Sequence, residues 1–141
     1  MSSFEDSLKT TLLTVNEAFD VADADLHREV AEAARGLQRV TEGAATLTLK
    51  KTGEGEQGAH YSLFISGSGV EAVVGQFHVH ARGYPVSVIS TLRSSQENLV
   101  CNDSHALTEY FSKLASNPDS GLVTQAAYIM RKKSKTRDGR P

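Results

Sequence analysis

Two histidines separated by one residue, His78 and His80, are the side chains in this sequence best suited to chemistry. They lie within Gln76–Arg82, where apolar and polar residues alternate strictly. Alternation with a period of two predicts a strand that turns one face to a core and the other to water. The polar face of this strand carries the four predicted binding residues, Gln76, His78, His80 and Arg82.

A metal site is one chemistry that this pattern suggests. Imidazoles at positions i and i+2 of a strand lie about 6.6–6.8 Å apart along it, near enough to share an ion. A third ligand could come from Cys101, Asp103 or His105 if the chain after the hairpin folds back over the sheet. No spacing in the sequence fixes such a ligand. The histidine face is therefore predicted to be a recognition surface, with no metal and no cofactor.

Other catalytic patterns find no support in the sequence. Cys101 is the single cysteine, so an internal disulfide is excluded and a reducing compartment is expected. The glycine-rich stretch Ser66–Gly69 matches neither a nucleophile elbow nor a phosphate-binding loop. The start of the chain has no apolar signal segment, and no apolar run is long enough to cross a bilayer. We therefore expect a non-enzymatic cytoplasmic protein that is not inserted in a membrane.

Charge is distributed unevenly along the chain. The net charge is −2, but residues 131–141 hold six basic residues and one acid, which is +5 and leaves −7 for residues 1–130. An acidic body repels nucleic acid, so contact with it would have to come through this tail. Residues 134–141 are predicted to be a disordered basic tail. Binding of nucleic acid through the tail is the second functional hypothesis.

The first forty residues are predicted to be helical. Their apolar side chains recur at intervals of three or four that average 3.6 residues, the period of an α-helix. These positions are Phe4, Leu8, Leu12, Val15, Phe19, Ala22, Leu26, Val30, Ala33, Leu37 and Val40. One long helix keeps this stripe continuous, whereas Asp23 or Asp25 as an N-cap would start a second helix at Leu26.

The middle of the chain is predicted to be a meander of four antiparallel strands. Ala45–Lys51 and His60–Ser66 form its first hairpin, joined by the flexible polar connection Thr52–Gly58. The histidine strand and the strand that begins at Val86 form the second hairpin, and Arg82–Pro85 is its turn. The polar residues that follow, up to residue 104, are expected to be irregular.

Two elements are expected after residue 103. Ala106, Leu107, Tyr110, Phe111 and Leu114 have helical spacing, and Asp103 or Ser104 is the expected N-cap. Residues 121–131 suit either a short helix or a fifth strand. The whole pattern predicts an α+β fold in which a long N-terminal helix, a four-stranded meander and one or two C-terminal helices on one sheet face form a single domain over residues 1–133.

The apolar stripe of the first helix also predicts self-association. It spans about 55 Å at about 1.5 Å per residue, whereas strands of seven to nine residues span about 23–31 Å. The uncovered half would expose a large apolar patch, which a symmetric dimer through the N-terminal helix would bury. The leading functional hypothesis is thus a binding or adaptor module, expected as a homodimer, with an unidentified protein partner. The third hypothesis is a small metal-dependent enzyme centred on His78 and His80.

Overall fold

The middle of the chain forms the strands β1 Thr46–Gly55, β2 Gly58–Gly67, β3 Val70–His80, β4 Gly83–Thr91 and β5 Gln96–Cys101. In the computed structural model, which describes residues 3–137, they make one antiparallel sheet in the order β1-β2-β3-β4-β5. Neighbours in the chain are therefore neighbours in the sheet. The predicted meander is confirmed, with five strands instead of four.

The N-terminal helix α1, Ser3–Val40, is continuous over 38 residues. This continuity excludes the alternative of a break near Asp23 or Asp25, and both aspartates have another role. Asp23 accepts a hydrogen bond from the hydroxyl of Tyr61 on β2, and Asp25 accepts one from Tyr84 on β4. The two acids therefore fasten the middle of α1 to the sheet.

The core lies between one face of the sheet and three helices, α1, α2 Ser104–Ser116 and α3 Gly121–Arg137. Leu26 of α1, Leu107 of α2 and Ile129 of α3 are fully buried against strand residues of that face. Aromatic packing joins α2 to β3, where the rings of Phe111 and Phe77 stack with centroids 5.8 Å apart. The α+β fold with its helices on one sheet face is confirmed.

The fifth strand was predicted to be irregular because its residues are mostly polar. In β5, Leu99 pairs with Val88 and Cys101 pairs with Val86, and these two residues face the core. The strand lies at an edge of the sheet, so its other side chains are exposed. An edge strand needs few apolar residues, and the alternation is therefore too weak to recognise.

The two hairpin turns are also shorter than predicted. β1 continues to Gly55 and β2 begins at Gly58, so only Glu56 and Gln57 lie between them, where a longer flexible connection was predicted. β4 begins at Gly83, which leaves residues 81–82 as its turn. In the first hairpin, backbone pairing extends to Gly55 and Gly58 at the end of the sheet, where the side chains of residues 54–57 are exposed.

The C-terminal region forms two helices, and the helical alternative for residues 121–131 is confirmed. Asp103 caps α2 through a hydrogen bond from the backbone N–H of Ala106, 2.8 Å long. α3 runs on to Arg137, so residues 134–137 of the predicted disordered tail are helical, and residues 138–141 lie outside the described residues. Between Ser3 and Arg137, no helix has the length and apolar character required to span a membrane.

Candidate functional site

The sheet face opposite the helices is open to solvent. On β3, Phe77 and Val79 point into the core, whereas Gln76, His78 and His80 point to this open face. Gln76 is exposed and the two histidines are partly exposed. The strand alternation therefore places three of the four predicted binding residues together on the uncovered surface.

A third histidine, His60 on β2, joins this surface. His60 pairs with His78 in the strand register, and their rings stack with centroids 4.1 Å apart and planes 15° apart. The ring of His80 follows at 4.0 Å from that of His78, tilted by 45°. His60, His78 and His80 form a continuous row of imidazoles across two strands, which we name the histidine row.

Hydrogen bonds hold two rings of this row in place. Nε2 of His78 donates to the carbonyl oxygen of Gln57 over 2.9 Å, and Nε2 of His80 lies 3.0 Å from the hydroxyl oxygen of Ser87. In a neutral His78, Nδ1 is then the nitrogen that can accept a hydrogen bond. The turn between β1 and β2 therefore holds the ring of His78, and β4 holds the ring of His80.

Protonation of the row is suppressed at His80. Burial lowers the pKa of His80 below its ordinary value, and the neighbouring His78 and His60 lower it further. Burial acts because it disfavours a charged imidazole, and the two neighbours act by repulsion when they are protonated. At neutral pH, His80 thus offers a neutral ring and hydrogen-bonding nitrogens.

A shallow cavity of about 530 Å³ lies over this face. Its polar lining includes Thr52, His60, Ser62, Gln76, His78 and Ser87. Two aliphatic side chains flank the polar lining on the β4 and β5 side. Ile89, which lines the cavity, is 37% exposed, and Val100, which pairs with Ser87, is 58% exposed. The surface thus joins hydrogen-bonding groups to apolar ones.

Arg82 is separated from the other predicted site residues. It lies in the turn between β3 and β4 and is exposed there. The alternation in the sequence continues through Ala81, but β3 ends at His80. Arg82 therefore lies next to the end of the open face, in the turn that follows β3.

The three residues considered as a third metal ligand are not on the open face. Cys101 is buried on the core face of β5. Asp103 caps α2, and His105 is exposed on α2 beside Glu109. In the part of the chain that the structure describes, no three His, Cys, Asp or Glu side chains are grouped so that they could hold one metal ion. The rings of His60 and His78 lie face to face, so they share contact area instead of converging on a point.

Comparison of the chain with protein-family models, with curated proteins and with solved structures finds no match. The class of the protein is therefore defined by its own architecture. It is an α+β protein in which three helices cover one face of a five-stranded antiparallel sheet. The other face carries the histidine row.

Proposed function

We propose that this protein is a non-enzymatic binding or adaptor module that recognises a protein partner through the open sheet face. The observation that carries the proposal is the histidine row beside the exposed aliphatic side chains of Ile89 and Val100. Gln76 and Arg82 extend the recognition surface along and beyond β3. We place this module in the cytoplasm, in agreement with its single free cysteine.

The chemistry of this surface suits a polypeptide better than a small charged ligand. Aromatic rings with polar atoms, set beside aliphatic groups, are typical of the well-packed centres of protein interfaces. The neutral ring of His80 gives no fixed charge to a phosphate or a carboxylate at neutral pH. A partner that supplies both backbone hydrogen-bonding groups and an apolar side chain would satisfy the whole surface.

We further propose that the module acts as a homodimer through α1. Phe4 is 76% exposed and Leu12 is 53% exposed, and they lie on one apolar stripe with Leu8. Such a patch is usually covered by another molecule. Sedimentation at micromolar concentration tests this proposal, with Leu8→Asp/Leu12→Asp as the variant that should be monomeric. A monomeric wild-type protein at these concentrations would contradict the homodimer.

The recognition surface is tested by quantitative affinity capture from a lysate of the native host. Wild-type protein is compared with His78→Ala/His80→Ala and with the control His105→Ala, which alters an exposed histidine on α2. We expect one protein to be retained by the wild type and the control, and at least about tenfold less of it by the double variant, as for loss of a central contact. Equal retention by all three would contradict the proposed surface.

A second candidate function is association with nucleic acid through the end of α3. The guanidinium of Arg131 lies 6.0 Å from the ring of Tyr128, which is exposed, so a basic group and an aromatic platform occur together. Such pairs support stacking and phosphate contact in single-stranded nucleic-acid sites. Binding of a fluorescent single-stranded oligonucleotide should then fall with rising salt and with Arg131→Glu. Binding that is absent at 50 mM salt, or unchanged in the variant, would contradict it.

A further inference from the structure

The two edges of the sheet differ in how they are protected. An edge strand leaves one row of backbone N–H and C=O groups without a partner strand, and proteins block such rows with lysines, prolines or bulges. At one edge, β1 carries Lys50 and Lys51, and its pairing with β2 shifts register between Lys51 and Gly53. The edge at β1 is therefore poorly suited to the addition of another strand.

The edge at β5 has none of these protections. The strand Gln96–Cys101 contains no lysine, arginine or proline, and all six of its residues pair with β4 without a register shift. Among residues 3–137, β4 is the only segment whose backbone is hydrogen-bonded to β5. The backbone groups on the outer side of β5 are thus regularly spaced and available for pairing.

A cavity of about 240 Å³ lies beside this edge, between β5 and α2. Leu99 of β5 and Ala106 and Leu114 of α2 supply its apolar lining. Tyr110 and Ser90 also line it, and their hydroxyl oxygens are hydrogen-bonded to each other over 2.9 Å. The cavity lies on the sheet face that the helices cover. Alternate side chains of a strand added to β5 would point to that face and could enter the cavity.

Acidic groups outnumber basic ones at this cavity. Glu97 of β5 and Glu109 of α2 line it together with one base, Lys113. Glu97 is exposed, and within residues 3–137 no basic side chain forms an ion pair with it. It lies two residues from Leu99, so both side chains are on the same face of β5. A strand beside β5 should therefore place an apolar side chain next to Leu99 and a basic one next to Glu97.

We propose that β5 is a strand-addition site, which binds an extended segment of another protein that carries an apolar residue and a lysine or arginine two positions apart. Main-chain hydrogen bonds to the outer side of β5 supply the affinity, and the cavity selects the side chains, as in other cases of β-augmentation. The site goes beyond the proposed function, because it is separate from the histidine row and neither surface depends on the other.

A second copy of this chain is a poorer occupant of the edge. If two β5 strands paired, side chains on the helix-covered face of one strand would have to enter the cavity of the other copy. Leu99 and Cys101 are packed in the core of their own copy, so Glu97 is the side chain that remains for this role. A second glutamate beside Glu97 and Glu109 would be repelled. The cavity therefore favours a segment of different sequence.

Selection from a random decapeptide library displayed on phage tests the site. The wild-type protein should enrich peptides with an apolar residue and a lysine or arginine at positions i and i+2, in either order. The best peptide is then methylated at one backbone nitrogen at a time. Methylation should weaken binding at least about tenfold at alternate positions and little between them, because the N–H groups of an added strand point alternately towards β5 and away from it. A peptide without this alternation, or the absence of any enriched peptide, would overturn the proposal.

A charge reversal locates the peptide on β5. Glu97→Lys should weaken binding of the peptide at least about fivefold, and exchange of the basic residue of the peptide for glutamate should restore it. Glu54→Lys, on the opposite edge strand, is the matched control and should bind as the wild type does. His78→Ala/His80→Ala should also bind the peptide normally, which separates this site from the histidine row. Equal binding by Glu97→Lys and the wild type would contradict the proposal.

Amide hydrogen exchange shows whether a second copy covers the edge. In the free protein, the N–H groups on the outer side of β5 should exchange rapidly at every protein concentration, and the selected peptide should slow their exchange. Protection that increases with protein concentration in the absence of peptide would show that a second copy occupies β5, and the proposal would then be wrong.

Discussion

His60 of β2 and His78 of β3 stack face to face on the open sheet face, with ring centroids 4.1 Å apart. The contact exists because the two residues pair across neighbouring strands, where side chains on one face lie close together. His80 extends the stack towards β4, where it meets Ser87. The row concentrates three titratable rings where an antiparallel sheet would otherwise present scattered polar residues. The packing of the three rings determines how the row responds to pH and how far it is exposed to solvent.

The stability of the protein should depend on the protonation of His80. Its pKa lies below the ordinary value of 6.5, so below that pH the unfolded chain binds more protons than the folded protein does. The free energy of unfolding should therefore decrease as pH falls through and below about 6.5, and should be insensitive to His80 above it. Other titratable groups lie on the same sheet. His60 and His78 belong to the histidine row, and β1, which lies next to β2, carries the charged residues Lys50, Lys51 and Glu54.

Urea unfolding at pH 7.5, 6.5 and 5.5 measures this effect. His80→Gln should show a smaller loss of stability on acidification than the wild type. The difference between the wild type and His80→Gln in free energy of unfolding at each pH gives the contribution of His80. Carboxylates, which titrate at lower pH, contribute equally to both proteins and cancel. Parallel curves for the wild type and His80→Gln would contradict the prediction.

The hydrogen bond from Tyr84 to Asp25 should contribute to the stability of the fold. The oxygen atoms are 2.7 Å apart, and Asp25 also contacts Arg28 at 2.9 Å. Tyr84→Phe removes the donor and leaves a largely buried carboxylate with one partner fewer. We expect a loss of about 1–2 kcal/mol in the free energy of unfolding. Tyr128→Phe is the control and should change stability by less than about 0.5 kcal/mol; equal effects would show that the bond adds nothing.

Gly83 should not tolerate a side chain. Its φ is +91°, and a Cβ atom there would lie 2.5 Å from the backbone oxygen of Ala18. Gly83→Ala should therefore move the turn away from α1 and cost about 2–3 kcal/mol. At Gly55, a Cβ would meet no atom within 4 Å, so Gly55→Ala is the matched control. Thermal unfolding of the two variants distinguishes them, and an equally small effect would contradict the contact between the turn and α1.

Cys101 should behave as a protected thiol. It is 3% exposed, and burial raises the pKa of its thiol, with a smaller effect of Asp103. A thiol-specific reagent should therefore react slowly with the folded protein and with one equivalent after unfolding. Cys101→Ser should fold at a cost of about 1–2 kcal/mol. Rapid reaction of one equivalent in the folded protein would show that the thiol is accessible.

Local periodicity was sufficient to predict most of the architecture. The 3.6-residue spacing predicted α1, and it stays in phase through Asp23 and Asp25 because α1 is one continuous helix, in which those acids bind tyrosines on the sheet. Alternation predicted which residues of β3 face the core. Both patterns are properties of one segment and require no knowledge of its neighbours.

Features that depend on strand pairing were not predictable in this way. His60 reaches the histidine row only through the register of β2 with β3, and that register shifts at an irregularity between Leu63 and Phe64. A shift of one residue would place His60 opposite a core residue. The alternation around His60 predicts a strand, but the alternation of one strand does not identify the residue opposite His60 on the neighbouring strand. β5 was missed for a related reason, since an edge strand exposes most of its side chains.

Site-specific photo-crosslinking tests the central claim, that the open sheet face binds a protein partner, most directly. A photoreactive amino acid is placed at Gln76 on the open face and, as the control, at His105 on α2. After irradiation in the native host, position 76 should give a covalent adduct with one protein, and His78→Ala/His80→Ala should reduce its yield at least about tenfold. Adducts of equal yield at both positions, or a yield at position 76 that is unchanged by the double variant, would contradict the account.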